Sequence, residues 1–312
     1  MKFNLSYGNH SYQGVHIADT LRLIKYSLQS LGHTVSISPR MEPGQNNIII
    51  ENFTYDFVVT MENLRKVPGT RFIILATEYI SDQERFNYFP DNTQNDQSHY
   101  GQDSLWQKRW KTFCLATRHC DAIWHLSEAQ VEPYQNYFKN IPVGYLPHAY
   151  LDELVRVPNT QIIERDIDVL FTGTMTPYRE QILNELSDSG LNVQVGVVNT
   201  PDHVREDWIN RSKLALNLKQ NASWAYPSNS RFFYHLINSS LLLTERCDEA
   251  CDLDPYVVHC DSNKLVEEVH YYLGKDTHEM AKENLKDFIR ERPMKPLIKK
   301  LMDTTFPGGG NA

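Results

Sequence analysis

An apolar run past the middle of the chain, Ile167-Asp168-Val169-Leu170-Phe171, ends in the small loop Thr172-Gly173-Thr174, and Pro177 then leads into an amphipathic segment, Tyr178 to Leu186. Strand, Gly-containing loop and helix in that order bring backbone N–H groups and a helix N-terminus together, and that arrangement attracts phosphate. The N-terminal residues follow the same pattern. Lys2 to Tyr7 predicts a strand, Gly8 to Gly14 a polar loop, and Ile17, Leu21, Ile24 and Leu28 a helix that Gly32 ends before a second strand, Thr34 to Ser38. A chain that opens such a unit at its start and again past its midpoint is constrained to two α/β lobes, each built on a parallel sheet. A cleft between two such lobes is where a nucleotide-bearing ligand is expected.

Between these two starts, Asn47 to Ile50, Phe57 to Thr60 and Arg71 to Thr77 predict strands, and the polar stretch Pro90 to Gly101 predicts an exposed loop. Leu105 to Cys120 reads as a helix, Asp121 to Ser127 as a buried strand, Glu128 to Lys139 as another helix, and Val143 to Pro147 closes the half. Ala149 to Asp166, with Pro158 and few large apolar groups, is the best linker, so the boundary is expected near residue 160. The second half alternates strands Asp168–Phe171, Asn192–Val198, Leu214–Leu218 and Leu241–Thr244 with helices Tyr178–Ser187, Pro201–Ser212 and Arg231–Asn238. The expected division is residues 1–160 as an acceptor lobe, 161–278 as a donor lobe, 279–303 as terminal helices crossing back, and 304–312 as a disordered tail.

At 312 residues and 41% hydrophobic, the chain can bury two sizeable cores. A formal charge of -8 argues against a nucleic-acid partner, yet leaves room for a local basic pocket that holds one phosphate group. Met1 to Ser6 has no apolar signal core and runs such as Phe72–Ala76 are too short to span a bilayer, so no transmembrane segment and a cytoplasmic location are expected. The five cysteines, Cys114, Cys120, Cys247, Cys251 and Cys260, make no even framework and are expected to be reduced. Cys247, Cys251, His259 and Cys260 invite a zinc reading, and Asp252-Leu253-Asp254 a divalent-cation one. The first lacks the usual spacing and the second the strand context, so no metal is expected.

The loop from Asn217 to Arg231 runs into Phe232-Phe233-Tyr234-His235-Leu236-Ile237-Asn238-Ser239-Ser240 and the apolar Leu241-Leu242-Leu243-Thr244. Here the sequence resembles the donor-binding half of the GT-B glycosyltransferases, close to the spore-maturation glycosyltransferase-like group of glycosyl transferases group 1. In that group an Arg-x-Phe-Glu-Ala helix precedes an apolar strand ending in Thr; Arg231, Phe233, Leu242, Leu243 and Thr244 fit it. Phe171 to Thr174 with Arg179 downstream, and Ser212 to Asn217, extend the match over the second half. The first half matches only by architecture. The resemblance implies an α/β fold of two Rossmann-like domains facing across a cleft, with the C-terminal helices packing back on the first. It also implies transfer of a sugar from a nucleotide-diphosphate sugar, UDP- or GDP-linked, to an acceptor (glycan, protein or small molecule) that the sequence does not name, with no obligatory cofactor.

A diphosphate leaving an anomeric carbon gains negative charge, so a metal-free site needs fixed donors. Arg231 suits that role best, with Arg179, Lys219, Gly173 and Thr174 expected beside it; Asn217 and Thr244 are further donor-binding candidates, and Tyr226 and Tyr234 are expected near the nucleoside. Tyr234 stands where related enzymes place a Glu, and Tyr226 where the upstream glutamate of the retaining families falls. If the reaction inverts the anomeric centre, a base must come from the first half. Glu78 and His16 are the candidates put forward, with Asp19 and His10 also possible; Glu78 follows the strand Phe72–Ala76, at whose carboxyl end ligands sit in α/β sheets. A retaining reaction needs no such base. The alternatives are a catalytically inactive glycosyltransferase homologue, which the two tyrosines suggest, and a two-lobed binding or partner protein.

Overall fold

The computed structural model describes residues 1–80, 85–87, 103–157, 164–197 and 199–307. The chain forms two units, Met1–Pro147 with Met294–Ala312, and His148–Pro293. In the first, strands β1 (Lys2–Ser6), β2 (Thr34–Ser38), β3 (Asn46–Ile50), β4 (Arg71–Ala76), β5 (Ala122–His125) and β6 (Val143–Tyr145) form a sheet in the order β2-β1-β3-β4-β5-β6, parallel throughout. In the second, β7 (Ile167–Thr172), β8 (Val193–Gly196), β9 (Ser212–Asn217), β10 (Leu242–Glu245) and β11 (Val258–Cys260) run parallel in the order β11-β10-β9-β7-β8. Numbered from its own first strand, each sheet reads 2-1-3-4-5, and the first adds a sixth strand. That order has one switch point, between the carboxyl ends of its first and third strands, where successive connections leave on opposite sides and a crevice opens.

Parallel strands buried on both faces need helices on both. In the first unit these are α1 (Ala18–Ser30), α2 (Tyr55–Leu64), α3 (Asp103–Thr117) and α4 (Val131–Tyr137). An aromatic core of Phe72, Phe86, Trp106, Trp110, Phe113 and Tyr134 fills the space between the sheet and the helices α2 to α4. The second unit carries α5 (Pro177–Asp188), α6 (Asp202–Arg211), α7 (Asn229–Ile237), α8 (Leu265–Leu273) and α9 (Thr277–Glu291). Helix α10 (Met294–Thr305) returns to the first unit, where Trp124 Nε1 donates to Thr305 Oγ1 at 2.8 Å.

Several expectations change. Phe57 to Thr60 lies inside α2, because Thr54 caps that helix by accepting from the Phe57 N–H and the buried positions Val58 and Met61 follow helical spacing. The division falls at residue 147 rather than near 160: Leu154 and Val157 are buried in the second unit, where the Arg156 and Val157 N–H groups donate to Asn238 Oδ1. Of the terminal helices, α9 stays with the second unit, with Phe288 against Phe233, and only α10 crosses back. β11 and α8 were not expected at all. The loop Pro90–Gly101 and the Gly-rich end of the tail lie outside the described residues.

Candidate functional site

At the switch point of the second unit, Arg231 in the first turn of α7 reaches back over the end of β7. Its Nε donates to Thr172 O at 2.6 Å and its Nη1 to Asn217 Oδ1, while Asn217 Nδ2 donates to Thr244 Oγ1 at 2.8 Å. One chain of hydrogen bonds thus ties the ends of β7, β9 and β10 to a guanidinium. The Arg231 group also lies over the Phe171 ring, 5.2 Å from its centroid. Gly173 has φ +149 and a Cβ there would collide with Nη2 of Arg231, so the glycine is what lets the arginine lie down on the loop.

Arg179 has a different office. It is 4% exposed, and its guanidinium donates to Thr174 O at 2.6 Å, Leu218 O at 2.8 Å and Lys219 O at 2.9 Å. It fastens the loop after β7 to the loop after β9 through these three carbonyls. Its own helix starts cleanly, with Thr176 as the cap and Pro177 in the first turn. Glu245 at the end of β10 is fully buried and accepts from the Lys219 N–H at 2.6 Å and the Tyr178 hydroxyl at 2.5 Å, so it shapes the same loop. Burial and that carboxylate hold the Tyr178 phenol well above its ordinary range.

Beyond Glu245 a cavity of about 430 Å³ opens at the ends of β10 and β11, lined among others by Pro227, Phe232, Cys247, Asp254 and His259. Burial pushes the Cys247 thiol up to about 12, against the opposing pull of the Lys219 ammonium. Gly173, Asn217, Arg231 and Thr244 therefore come together, and Thr174 and Lys219 adjoin them. Tyr226 stands half-buried, edge-on to Trp224. Tyr234 does not join the group: its ring is buried with Val157, Leu170 and Ile209 and faces the Arg205 guanidinium at 4.3 Å. It is core, because Phe232 to Ile237 are buried all round and leave the helix no open side there.

At the switch point of the first unit the chemistry is acidic and imidazole-rich. Arg109 of α3 donates to both oxygens of Glu51, at 3.1 and 2.5 Å, and to Glu78 Oε1 at 2.8 Å; the other Glu78 oxygen accepts from Asn87 Nδ2 at 2.7 Å. Both Glu78 oxygens are thus engaged. Glu51 is 1% exposed, and burial, with the like charge of Glu78, raises its carboxyl above the usual carboxylate range against the opposing pull of Arg109. Glu51 was missed in the sequence, although it follows the apolar Ile48-Ile49-Ile50 just as Glu78 follows Phe72–Ala76. His10 and His16 meet over the same strand ends, Nδ1 to Nε2 at 3.0 Å, and His10 Nε2 lies 3.4 Å from Ile50 O. Burial and neighbouring positive charge push His10 down to about 4, and burial lowers exposed His16 as well. Asp19 pairs with Arg22 at 3.3 Å.

Among the described residues no group of three or more His, Cys, Asp or Glu side chains is arranged to hold a metal. Asp252 pairs with Arg292, and Asp254 accepts from the Cys251 N–H at 2.8 Å. No described helix is long and apolar enough to cross a membrane.

No family model matches the sequence, and no curated protein aligns with it significantly. Solved structures do match. A T4 phage β-glucosyltransferase structure superposes with a TM-score of 0.52 at 12% identity over 98% of this chain and all of its own. Another, described as a DNA-modifying β-glucosyltransferase with and without uridine diphosphoglucose, gives 0.53 at 11% identity over 97% of this chain. TarM gives 0.52 at 10% identity over 92% of this chain, which spans 58% of TarM's length. The fold is the GT-B glycosyltransferase fold, two α/β units each on a parallel sheet.

Proposed function

We propose that the chain is a glycosyltransferase that takes a sugar from a nucleotide-diphosphate sugar. The observation that carries this is Arg231, held over Gly173 between Thr172 O and Asn217 at the switch point of the second unit. A diphosphate seated there meets a fixed guanidinium and the N-terminus of α5, donors that stabilise the charge of a leaving group without reorganising. The adjoining cavity is of a size for the nucleoside, and the Lys219 N–H donates to Glu245, which lines it. A UDP-sugar is the first choice because the T4 phage enzyme of like fold is described with UDP-glucose as its substrate. The same fixed donors support a reaction that proceeds without a metal. On the acceptor side His16 is the base and Glu78 serves as a partner of Arg109, since both its oxygens are engaged.

Calorimetric and thermal-shift titrations with UDP, GDP, CDP and dTDP, with and without magnesium, test this. A bound nucleotide at a hundred times its Kd adds about 2.7 kcal/mol to stability. Stabilisation by one nucleotide, unaffected by magnesium and lost in Arg231→Ala, followed by slow release of that nucleotide from its glucose conjugate, supports the reading. No shift with any nucleotide overturns it, and binding without turnover assigns the chain to a non-catalytic, nucleotide-binding role.

A further inference from the structure

The His10–His16 contact fixes more than a distance. Ile50 O can only accept, so the His10 Nε2 facing it carries the proton. His10 stays neutral at neutral pH because burial, His16 and Arg109 all push its pKa down. Its Nδ1 is then a bare acceptor, and the hydrogen bond across to His16 runs from the His16 Nε2–H into His10 Nδ1. His16 is left with its own proton on Nε2 and a lone pair on Nδ1, on a ring that is exposed to solvent. The order of donors is set from the buried end: a strand carbonyl orients one imidazole, which orients the next.

The backbone that carries the pair is strained to do so. Between His10 and His16 the consecutive residues Tyr12 and Gln13 hold left-handed φ values of +50° and +55°, followed by Gly14 at +74°. Non-glycine residues keep such conformations only where their surroundings impose them, and they collect at functional sites. The charged groups that face the pair are Arg109 of α3 and, joined through Arg109, Glu51 at the end of β3 and Glu78 at the end of β4.

We propose that His10 is a positioning residue that locks His16 in the Nε2–H tautomer, so that His16 Nδ1 is the atom that takes the acceptor's proton and the transfer inverts the anomeric centre. This rests on the glycosyltransferase reading. In the step, the acceptor oxygen bonds to the anomeric carbon as the bond from that carbon to the diphosphate oxygen breaks. The electron pair leaves with the diphosphate, and the acceptor proton moves to His16 Nδ1. The imidazolium so formed is stabilised by its Nε2–H bond to His10, which itself gives up nothing.

The test pairs a spectrum with kinetics. Long-range ¹H–¹⁵N correlation spectra of histidine-labelled protein report the His16 tautomer with no substrate present, and nucleotide release from the glucose conjugates of UDP, GDP, CDP and dTDP reports turnover. The expected wild-type spectrum shows His16 protonated on Nε2 only. His10→Phe should mix the tautomers and lower kcat about tenfold with KM little changed, short of the roughly hundredfold or larger loss in His16→Ala. His10→Asn, whose Oδ1 replaces the accepting Nδ1, should restore the tautomer and most of the rate. A wild-type His16 protonated on Nδ1, a His10→Phe variant with unchanged kcat, or retention at the anomeric centre overturns the proposal alone. A wild type inert toward every donor overturns the glycosyltransferase reading, and the proposal with it, whatever the spectrum shows.

Discussion

Gly173→Ala separates binding from folding. The added methyl group would collide with Nη2 of Arg231 and lie 3.4 Å from Phe171 Cζ. The obstacle is the far end of a flexible side chain, so the guanidinium can swing away and give up its bonds to Thr172 O and Asn217 Oδ1 to water. Adding the strain of alanine at a φ of +149°, roughly 1–3 kcal/mol, to two partly exposed hydrogen bonds at about 1 kcal/mol each gives a loss of about 3–5 kcal/mol, within what a domain can lose and stay folded at low temperature. Nucleotide affinity should suffer more specifically. One charge-assisted bond from guanidinium to phosphate contributes about 1.5–3 kcal/mol, so its loss weakens binding about ten- to 150-fold. Isothermal titration with the nucleotide that stabilises the wild type, run well below the variant's melting temperature and at constant salt, reads the ratio of Kd values. Wild-type affinity in a folded Gly173→Ala protein would refute the reasoning, because the arginine could not then be gripping phosphate from the position it holds.

Three further outcomes are expected. Arg179→Met leaves the carbonyls of Thr174, Leu218 and Lys219 without their buried donor; denaturant titration should show a loss of about 2–4 kcal/mol, with nucleotide affinity of the folded fraction reduced far less than in Arg231→Ala. Tyr234→Phe, a change inside the cluster of Val157, Leu170 and Ile209, should leave nucleotide Kd unchanged by calorimetry, whereas a nucleoside contact through the phenol would be lost. Arg109→Met strands Glu51 and Glu78, at a cost of about 3–5 kcal/mol where both are ionised. The Glu51 carboxyl is raised on folding, so its contribution is fully present below the ordinary carboxylate range and is lost as pH rises through its folded value. Removing the guanidinium, which opposes that rise, should therefore make the urea-midpoint deficit larger at about pH 8 than at about pH 5.

The sheets were legible in the sequence because buried parallel strands are apolar runs ended by small or polar residues, as in Phe72–Ala76 and Val169–Phe171. Phe57-Val58-Val59-Thr60 misled for the same reason: β-branched residues in a row look like a strand, and the deciding signals were the Thr54 cap and the helical interval from Val58 to Met61. Val258–Cys260 is three residues long and, among the described strands, pairs with β10 alone, too little for any period to show. Within the site, Arg179 and Arg231 look alike in sequence, each near the start of a helix after a polar loop. Arg231 binds one backbone carbonyl and Arg179 three, and which of them takes the three depends on where the loop after β9 runs, decided by packing across the sheet. Glu51 and Arg109, 58 residues apart, meet only because α3 covers the end of β3.

The two units place opposite chemical groups at the same point of the same strand order. A parallel sheet of this order opens one crevice at the carboxyl ends of its first and third strands, and what that crevice does depends on the few side chains that reach it. In the second unit they are a guanidinium, a glycine that admits it and a helix start, a set that favours an anion: the neighbouring Glu245 carboxylate is buried and engaged by the Lys219 N–H and the Tyr178 hydroxyl, and His235 is buried and pushed down to about 3 by that burial and by Arg231 and Arg205. In the first they are two carboxylates that hold one guanidinium between them and two imidazoles kept neutral, a set that repels a diphosphate and can receive a proton. Group transfer from a nucleotide-sugar requires both properties in different places, one to stabilise the departing charge and one to accept the proton of the incoming oxygen. A single crevice that held both would neutralise itself, since a carboxylate free to reach the arginine would pair with it in place of the ligand.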